Sequence, residues 1–165
     1  MFRFLSKEIS NLSVLDLCCG EGELQRWISS NSYQGIDKNS LFVRGLRAKG
    51  LSVMEGDILD TAWPAADCTV MVDGLYHFLP DLDSLLKKMT ARQTRKIIIS
   101  EPVRNFSSSE LSIISSMATW IARVDGRSYP IRFSEDTFRA ALSKYGFNRF
   151  ENYGWNMIGI RENNG

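Results

Sequence analysis

The residue types best suited to chemistry first occur in one short stretch, VLDLCCGEGEL, close to the start of the chain. Its apolar run leads into Gly20 and Gly22, and glycine-rich turns let a backbone approach a nucleotide closely. Two acids, Glu21 and Glu23, stand among these glycines, and Cys18 precedes them. The stretch therefore predicts a nucleotide-type pocket whose ligand must tolerate negative charge.

The glycine spacing and the acids both argue against a dinucleotide as that ligand. Dinucleotide sites use the pattern G-x-G-x-x-G and hold a pyrophosphate against bare amides at a helix N-terminus. Counted from Gly20, the third glycine would fall at position 25, which is Gln25. Glu21 and Glu23 would also repel a pyrophosphate. The sequence therefore favours a ligand that lacks phosphate.

Further candidate side chains stand at or just after the ends of other apolar runs. Asp37, Asp57, Asp73 and Glu101 all have such positions, and a carboxylate accepts hydrogen bonds from hydroxyls and amines. His77 is the only histidine of the chain and lies four residues after Asp73. An imidazole has an ordinary pKa of about 6.5, which suits proton transfer near neutral pH. These residues are the candidate contacts to a ligand.

Alternating strand and helix patterns bring these side chains to one edge of a predicted sheet. Strands are predicted at 13–17, 33–37, 51–55, 68–72 and 96–100, and helices at 23–30, 41–49 and 81–90. Such alternation implies right-handed crossovers and an open parallel sheet. Ligands bind such sheets beyond the carboxyl ends of the strands, near the point where the strand order reverses.

The last third of the chain follows a different pattern. A capping box at Ser107 predicts a helix that continues to Val124. Ser134 is the predicted cap of a second helix that ends at Gly146, and the runs 147–153 and 155–161 predict an antiparallel hairpin. The predicted fold class is therefore α/β: a three-layer αβα sandwich with a seven-stranded, mostly parallel sheet and an antiparallel terminal hairpin.

Composition and charge restrict the class of protein. The chain has 165 residues, 44% hydrophobic and 24% charged, which is typical of one globular domain over 1–165. Twenty basic and nineteen acidic residues leave a net charge of +1, so binding to nucleic acid or to an anionic membrane surface is not indicated. No apolar run reaches the roughly 18 residues of a membrane span. Three cysteines, two of them adjacent, fit neither a disulfide framework nor a metal site, and we expect reduced thiols in a cytoplasmic protein.

The motifs resemble those of the class I S-adenosylmethionine-dependent methyltransferases, and the resemblance covers nearly the whole chain. The first motif of that family, acid-x-G-x-G-x-G, matches DLCCGEG except that Cys18 replaces the first glycine. Asp37 and Asp57 match the acids after its strands 2 and 3, and VMVDGLYHFLPDLDSLL is similar to its strand 4 region. The resemblance implies a Rossmann-like fold and S-adenosylmethionine as cofactor. That cofactor has no phosphate and carries a sulfonium and an ammonium, so acids near the glycine turn are tolerable or helpful.

The resemblance implies one set of residues for the methionine end of the cofactor. Gly20 and Gly22 would let the backbone approach the methionine and ribose portions. Asp16 would orient the methionine ammonium, directly or through water. Asp73 and Gly74 would line the methionyl end.

A second set is implied for the ribose and the adenine. Asp37 would accept both ribose hydroxyls, with Lys38 beside it; the alternative is that Asp37 is only an acid at a helix N-terminus. Asp57 would accept from the adenine amine, with Ile58 against the ring face; the alternative is that Asp57 only forms a turn. Cys18 is also a candidate contact to the cofactor, and its side chain either crowds the methionine carboxylate or points into the core.

Methyl transfer from a sulfonium is an in-line displacement with a good leaving group. The protein mainly supplies proximity and orientation, which contribute up to roughly 7–11 kcal/mol. A general base is needed only where the nucleophile must lose a proton. His77 is the first candidate for that role and Tyr76 the second. The alternative is that His77 only packs between Tyr76 and Phe78 against the cofactor.

The acceptor is expected to be a small molecule that is methylated on oxygen or nitrogen. DGLY resembles the D-P-P-Y motif of base N-methyltransferases but lacks both prolines, and the nearly neutral charge also disfavours a nucleic acid. Two alternatives stay open: an RNA or protein methyltransferase, and an inactive cofactor-binding regulatory or scaffold protein.

Residues 103–133 are expected to form a lid over the acceptor. The candidates for contact with the acceptor are Glu101, Trp120, Arg127 and Tyr129. The alternative for the apolar stripe of this segment is plain core or a dimer face. Because few residues precede the first strand, the pocket is either open or closed by a second subunit, which makes a homodimer a further expectation.

Overall fold

The apolar runs of the sequence become the strands of one seven-stranded sheet. The computed structural model describes residues 1–28, 32–103 and 133–163. The strands are β1 (Val14–Leu17), β2 (Tyr33–Asp37), β3 (Val53–Glu55), β4 (Cys68–Val72), β5 (Lys96–Pro102), β6 (Arg149–Tyr153) and β7 (Asn156–Glu162). Their order in the sheet is β3-β2-β1-β4-β5-β7-β6.

Strand directions match the predicted fold class. Strands β1 to β5 are parallel to one another, whereas β7 runs antiparallel to both β5 and β6. The strand order reverses where β4 lies beside β1. The loops that leave β1 and β4 therefore diverge and open a crevice at the carboxyl ends of the strands.

Helices cover both faces of the sheet. Among the described residues these helices are α1 (Phe2–Glu8), α2 (Ser40–Ala48), α3 (Leu82–Thr90) and α4 (Glu135–Ser143), with the 3₁₀ segments η1 (Leu24–Trp27) and η2 (Leu75–Asp81). Leu86 of α3 and Phe138 of α4 belong to the core cluster that contains Leu15. Leu5 of α1 packs with Val14 on the opposite face. The predicted three-layer αβα sandwich is therefore confirmed.

The crossover from β1 to β2 differs from its prediction. A helix was expected at 23–30, but the structure has only the short η1, and Ile28 is already extended. Leu24 is the one buried residue of η1, so little apolar contact supports a longer helix. The N-terminal helix α1 was not predicted at all. It has no side-chain cap, and its signal is only an apolar spacing of Phe2, Leu5 and Ile9.

The start of α4 follows the predicted chemistry. Ser134 accepts from the backbone N–H of Thr137, and the Thr137 hydroxyl accepts from the backbone N–H of Ser134, which completes a capping box. Such caps stabilise a helix by about 1 kcal/mol.

The helix predicted after Ser107 and most of the expected lid at 103–133 lie outside the described residues. Within the described ranges, no helix is both long and apolar enough to cross a membrane.

Alanine substitutions at two glycines test the packing of α4 on the sheet. A Cβ on Gly159 of β7 would lie 2.5 Å from Leu142 Cδ1 of α4, so we expect Gly159→Ala to lower the free energy of unfolding by about 1–3 kcal/mol through overpacking. Gly45 of α2 has no atom within 4 Å of an added Cβ, and we expect Gly45→Ala to raise that free energy by about 0.5–1 kcal/mol. Urea unfolding measures both. Equal effects of the two substitutions would contradict the packing of α4 on β7.

Candidate functional site

A cavity of about 450 Å³ opens at the carboxyl ends of β1, β2 and β4. Its described lining combines the glycine turn, the acids after three strands and several aromatic rings. The lining residues are Phe2, Asp16, Cys18, Cys19, Gly20, Glu21, Glu23, Leu24, Asp37, Lys38, Phe42, Gly56, Asp57, Ile58, Val72, Asp73, Gly74, His77 and Phe78. The cavity therefore lies at the predicted edge of the sheet and brings together all of the predicted cofactor residues except Gly22.

Asp37 at the end of β2 joins two loops of the cavity. Its Oδ2 accepts from the backbone N–H of Gly20 at 2.8 Å, and its Oδ1 accepts from the backbone N–H of Asn39 at 2.8 Å. Asn39 in turn caps α2. A carboxylate offers about four acceptor sites, so each oxygen keeps one lone pair for a further donor. Asp37 is thus both the helix-start acid of the alternative interpretation and an available acceptor.

The backbone explains why a glycine is common at the position of Cys18. Cys18 has φ +57°, in the left-handed region that non-glycine residues enter at a cost of about 1–2 kcal/mol. Its side chain packs against Gly74, where an added Cβ would lie only 3.1 Å from the Cys18 Cβ. Cys18 is half-buried and lines the cavity beside the start of the loop after β4.

The two glycines of the turn have different functions. Gly20 has φ +52° and lines the cavity, and an added Cβ there would approach only the Cys18 carbonyl, at 4.0 Å. Gly22 has φ +76°, does not line the cavity, and an added Cβ would lie 2.7 Å from Leu46 Cδ2 of α2. Gly22 therefore lets the turn pack on α2, whereas Gly20 exposes backbone to the cavity.

Asp16 is a buried acid on the cavity wall. Its Oδ2 accepts from the Tyr33 hydroxyl at 2.8 Å, and Gly35 leaves room for that hydroxyl and for Cys19 Sγ above β2. Burial raises the pKa of Asp16 to about 7; the Tyr33 hydrogen bond opposes this rise and the nearby Asp37 charge adds to it. Asp16 therefore gains and loses its charge near neutral pH.

Asp57 and Ile58 form the wall after β3. Asp57 Oδ1 accepts from the backbone N–H of Leu59 at 2.9 Å, as in a turn. Ile58 is buried and belongs to the main core cluster. Both residues also line the cavity, so the turn geometry and ligand contact are compatible at this position.

The loop after β4 carries the candidate catalytic residues. Asp73 has φ +54°, and its Oδ1 accepts from Asn156 Nδ2 at 2.6 Å. His77 lines the cavity, whereas Tyr76 does not; its ring lies against His77, with 3.9 Å between ring centroids. The structure therefore brings His77 to the cavity, and Tyr76 contacts the His77 ring without lining the cavity.

The predicted acceptor contacts are placed differently. Glu101 on β5 is buried and does not line the cavity. Its Oε2 accepts from the backbone N–H of Leu75 at 3.0 Å, which fixes the start of η2. Trp120, Arg127 and Tyr129 lie outside the described residues.

The sequence did not indicate several contributors to the site, among them Asn156 and Phe2. Asn156 starts β7, and because β7 is antiparallel its first residue lies at the carboxyl edge of β5, opposite Pro102. Phe2 of α1 lines the cavity and stacks on Trp27, with centroids 6.0 Å apart. The predicted hairpin implied the position of Asn156, whereas nothing beyond a short apolar spacing indicated Phe2.

The charge of the described lining is strongly acidic. Six carboxylates and one lysine, Lys38, line the cavity. Glu23 is partly neutralised, because it accepts from Arg26 and from Trp27 Nε1. The helical segment after the glycine turn has only four residues and contributes little dipole to attract an anion. The cavity therefore favours a ligand that is neutral or cationic near the turn.

The titration of Asp16 predicts a pH-dependent stability. The pKa of Asp16 is about 7 in the folded protein against an ordinary value of 3.8. Between pH 3.8 and pH 7, Asp16 is therefore protonated in the folded protein and ionised in the unfolded chain. Stability from this group therefore falls as pH rises through this window, by at most about 1.4 kcal/mol per pH unit. We expect the gain in unfolding free energy from Asp16→Asn to grow between pH 5 and 7 and then level.

Urea unfolding of the ligand-free protein at several pH values measures this difference. Asp67→Asn is the control, because hydrogen bonds from Ser13 lower the pKa of Asp67, so its effect stays constant over the same range. A constant effect of Asp16→Asn would contradict the raised pKa.

Solved structures of methyltransferases share this fold at low sequence identity. The methyltransferase domain of bacterial CtHen1 is 15% identical, with 97% of this chain and 94% of that chain covered and a TM-score of 0.69. Mitomycin 7-O-methyltransferase MmcR is 18% identical, with 93% and 49% covered and a TM-score of 0.68. Magnesium protoporphyrin IX methyltransferase ChlM from Synechocystis PCC 6803, solved with bound SAH, is 17% identical, with 95% and 76% covered and a TM-score of 0.67.

These likenesses confirm the predicted class I methyltransferase fold. No curated protein resembles the sequence at significant similarity. The family model described as methionine biosynthesis protein MetW matches residues 2–119, which is more than half of the 165 residues. The chain therefore belongs to the MetW family and has the fold of the class I S-adenosylmethionine-dependent methyltransferases.

Proposed function

We propose that this protein binds S-adenosylmethionine in the cavity and transfers its methyl group to an oxygen or nitrogen of a small molecule. The observation that carries the proposal is that Asp37 lines the same cavity as the glycine turn and several other carboxylates. Asp37 keeps acceptor capacity on both oxygens after its two backbone bonds. The surrounding carboxylates disfavour a phosphate and suit a cationic cofactor.

The residues present fit this cofactor at three places. Asp37 would accept the two ribose hydroxyls, and Gly20 would allow close approach of the backbone. Asp57 and Ile58 would bind the adenine by its amine and its ring face. Asp16 would hold the methionine ammonium, more strongly as its carboxyl ionises near pH 7. The cavity of about 450 Å³ is within the usual range for such ligands.

The chemistry then requires little more than orientation. When bound, the cofactor supplies an activated methyl group on a sulfonium. Asp73 and Gly74, on the loop after β4, would orient the methionyl end. His77 would take a proton from the acceptor where one must leave, and Tyr76 would support the imidazole by packing on it.

A small-molecule acceptor is favoured over RNA or protein by charge. The chain has a net charge of +1, and the lining of the cavity is acidic over the described residues, so neither observation favours a nucleic acid as the acceptor. Among the similar structures, the mitomycin 7-O-methyltransferase acts by its name on a small molecule and HEN1 on a small RNA, so the preference for a small molecule rests on charge alone. Glu101 is proposed to act on the acceptor only indirectly, through its bond to the η2 backbone.

Calorimetry with S-adenosylhomocysteine and with NADH tests the proposed cofactor. We expect micromolar binding of the first and no measurable binding of NADH. Asp37→Ala should weaken binding roughly 100-fold, because two hydrogen bonds to a charged group are lost. Asp81→Ala is the matched control: Asp81 is an exposed acid that makes no side-chain cap bond and does not line the cavity.

Two results would count against the proposal. Absence of heat with S-adenosylhomocysteine would refute the cofactor, provided that the protein unfolds cooperatively. Binding without product formation from any tested pool of metabolites would favour the inactive regulatory or scaffold protein over the enzyme.

A further inference from the structure

One side chain of α3 holds the loop that carries Asp57 and Ile58. Lys88 Nζ donates to the backbone carbonyls of Ile58 at 2.7 Å, Leu59 at 2.7 Å and Thr61 at 2.8 Å. A lysine ammonium has three donors, so these carbonyls use all of them. The loop is therefore wrapped around a single cation.

A second donor tightens the same turn. Trp63 Nε1 donates to the Ile58 carbonyl at 2.9 Å, and Lys88 Nζ lies 4.9 Å from the centroid of the Trp63 ring. The backbone N–H of Thr61 returns to the carbonyl of Asp57 at 2.8 Å. These contacts close the loop on itself around the Lys88 ammonium.

Lys88 is connected to the Asp57 carboxylate through one residue. The carbonyl of Leu59 accepts from Lys88, and the backbone N–H of Leu59 donates to Asp57 Oδ1 at 2.9 Å. Without the ammonium, the three carbonyls that converge on it would repel one another. Leu59 would then move, and the orientation of Asp57 toward the cavity would change with it.

We propose that Lys88 is a positioning residue for recognition of the adenine. Lys88 does not line the cavity and acts only through the backbone of residues 58–61. This inference rests on the proposed function, because it assumes that Asp57 accepts from the adenine amine. Lys88 would thus influence the preference for adenine although its side chain does not line the cavity.

The test compares two ligands that differ only in the purine. The 6-deamino analogue of S-adenosylhomocysteine, which has unsubstituted purine as its base, lacks only the exocyclic amine, so the ratio of the two Kd values reports the Asp57 contact. We expect the wild type to prefer the adenine ligand about tenfold. Lys88→Met should bring the ratio close to one, and Lys88→Gln, which keeps two donors, should give an intermediate ratio.

Arg92→Met is the matched control. Arg92 also donates to carbonyls of this segment, those of Trp63 and Pro64, and lies over the Trp63 ring. Its carbonyl partners come after Leu59, the residue whose N–H donates to Asp57. We therefore expect Arg92→Met to lower the free energy of unfolding and to leave the adenine preference near the wild-type value. Calorimetry gives both Kd values, and thermal unfolding confirms that each variant is folded.

The outcomes separate this inference from the proposed function. No binding of S-adenosylhomocysteine to the wild type would refute the proposed function. Binding with an adenine preference that Lys88→Met and Lys88→Gln leave unchanged would overturn only the role of Lys88. Equal loss of the preference in Arg92→Met would also overturn it, because the effect would then belong to the whole segment.

Discussion

The carboxylate of Asp37 connects the parts of the molecule that form the cavity. It accepts from the glycine turn after β1 and from the first residues of α2, while its own backbone ends β2. A charged acceptor bound to two backbone donors is a strong arrangement in a partly buried place. The turn, the strand and the helix therefore hold a fixed relation, and the cavity between them keeps its shape.

The backbone around this cavity is strained at two residues. Cys18 and Asp73 both have positive φ without being glycine, which costs about 1–2 kcal/mol each. Contacts offset this cost: Cys18 packs on Gly74, and Asp73 accepts from Asn156. Strain of this kind concentrates at functional sites. The cysteine in the position of the usual glycine is thus accommodated by the neighbouring loop.

Most of the fold could be predicted because its strands are short apolar runs bounded by glycine and acid. The same pattern predicted the acids at the carboxyl edge, since parallel strands bring their ends together. The predicted length of the helix after the glycine turn was wrong. Hydrophobic periodicity indicates a helix but does not show how few apolar contacts stabilise it in the fold. The distinct functions of Gly20 and Gly22 depend on which neighbour each faces, and identical residue types cannot show that.

The remaining site residues could not be predicted for a common reason. Asn156 and Lys88 act across long separations in sequence, through the direction of β7 and through carbonyls of the loop after β3. Asparagine and lysine are common on protein surfaces, so their positions in the sequence indicate no function. Their contacts with the site depend on the packing of α3 and on the pairing of β7 with β5.

A crystal structure of the protein with S-adenosylhomocysteine tests the central claim most directly. We predict that both ribose hydroxyls lie within hydrogen-bond distance of the Asp37 carboxylate, with the adenine between Asp57 and Ile58. A ligand bound elsewhere, or one whose ribose turns away from Asp37, would contradict it.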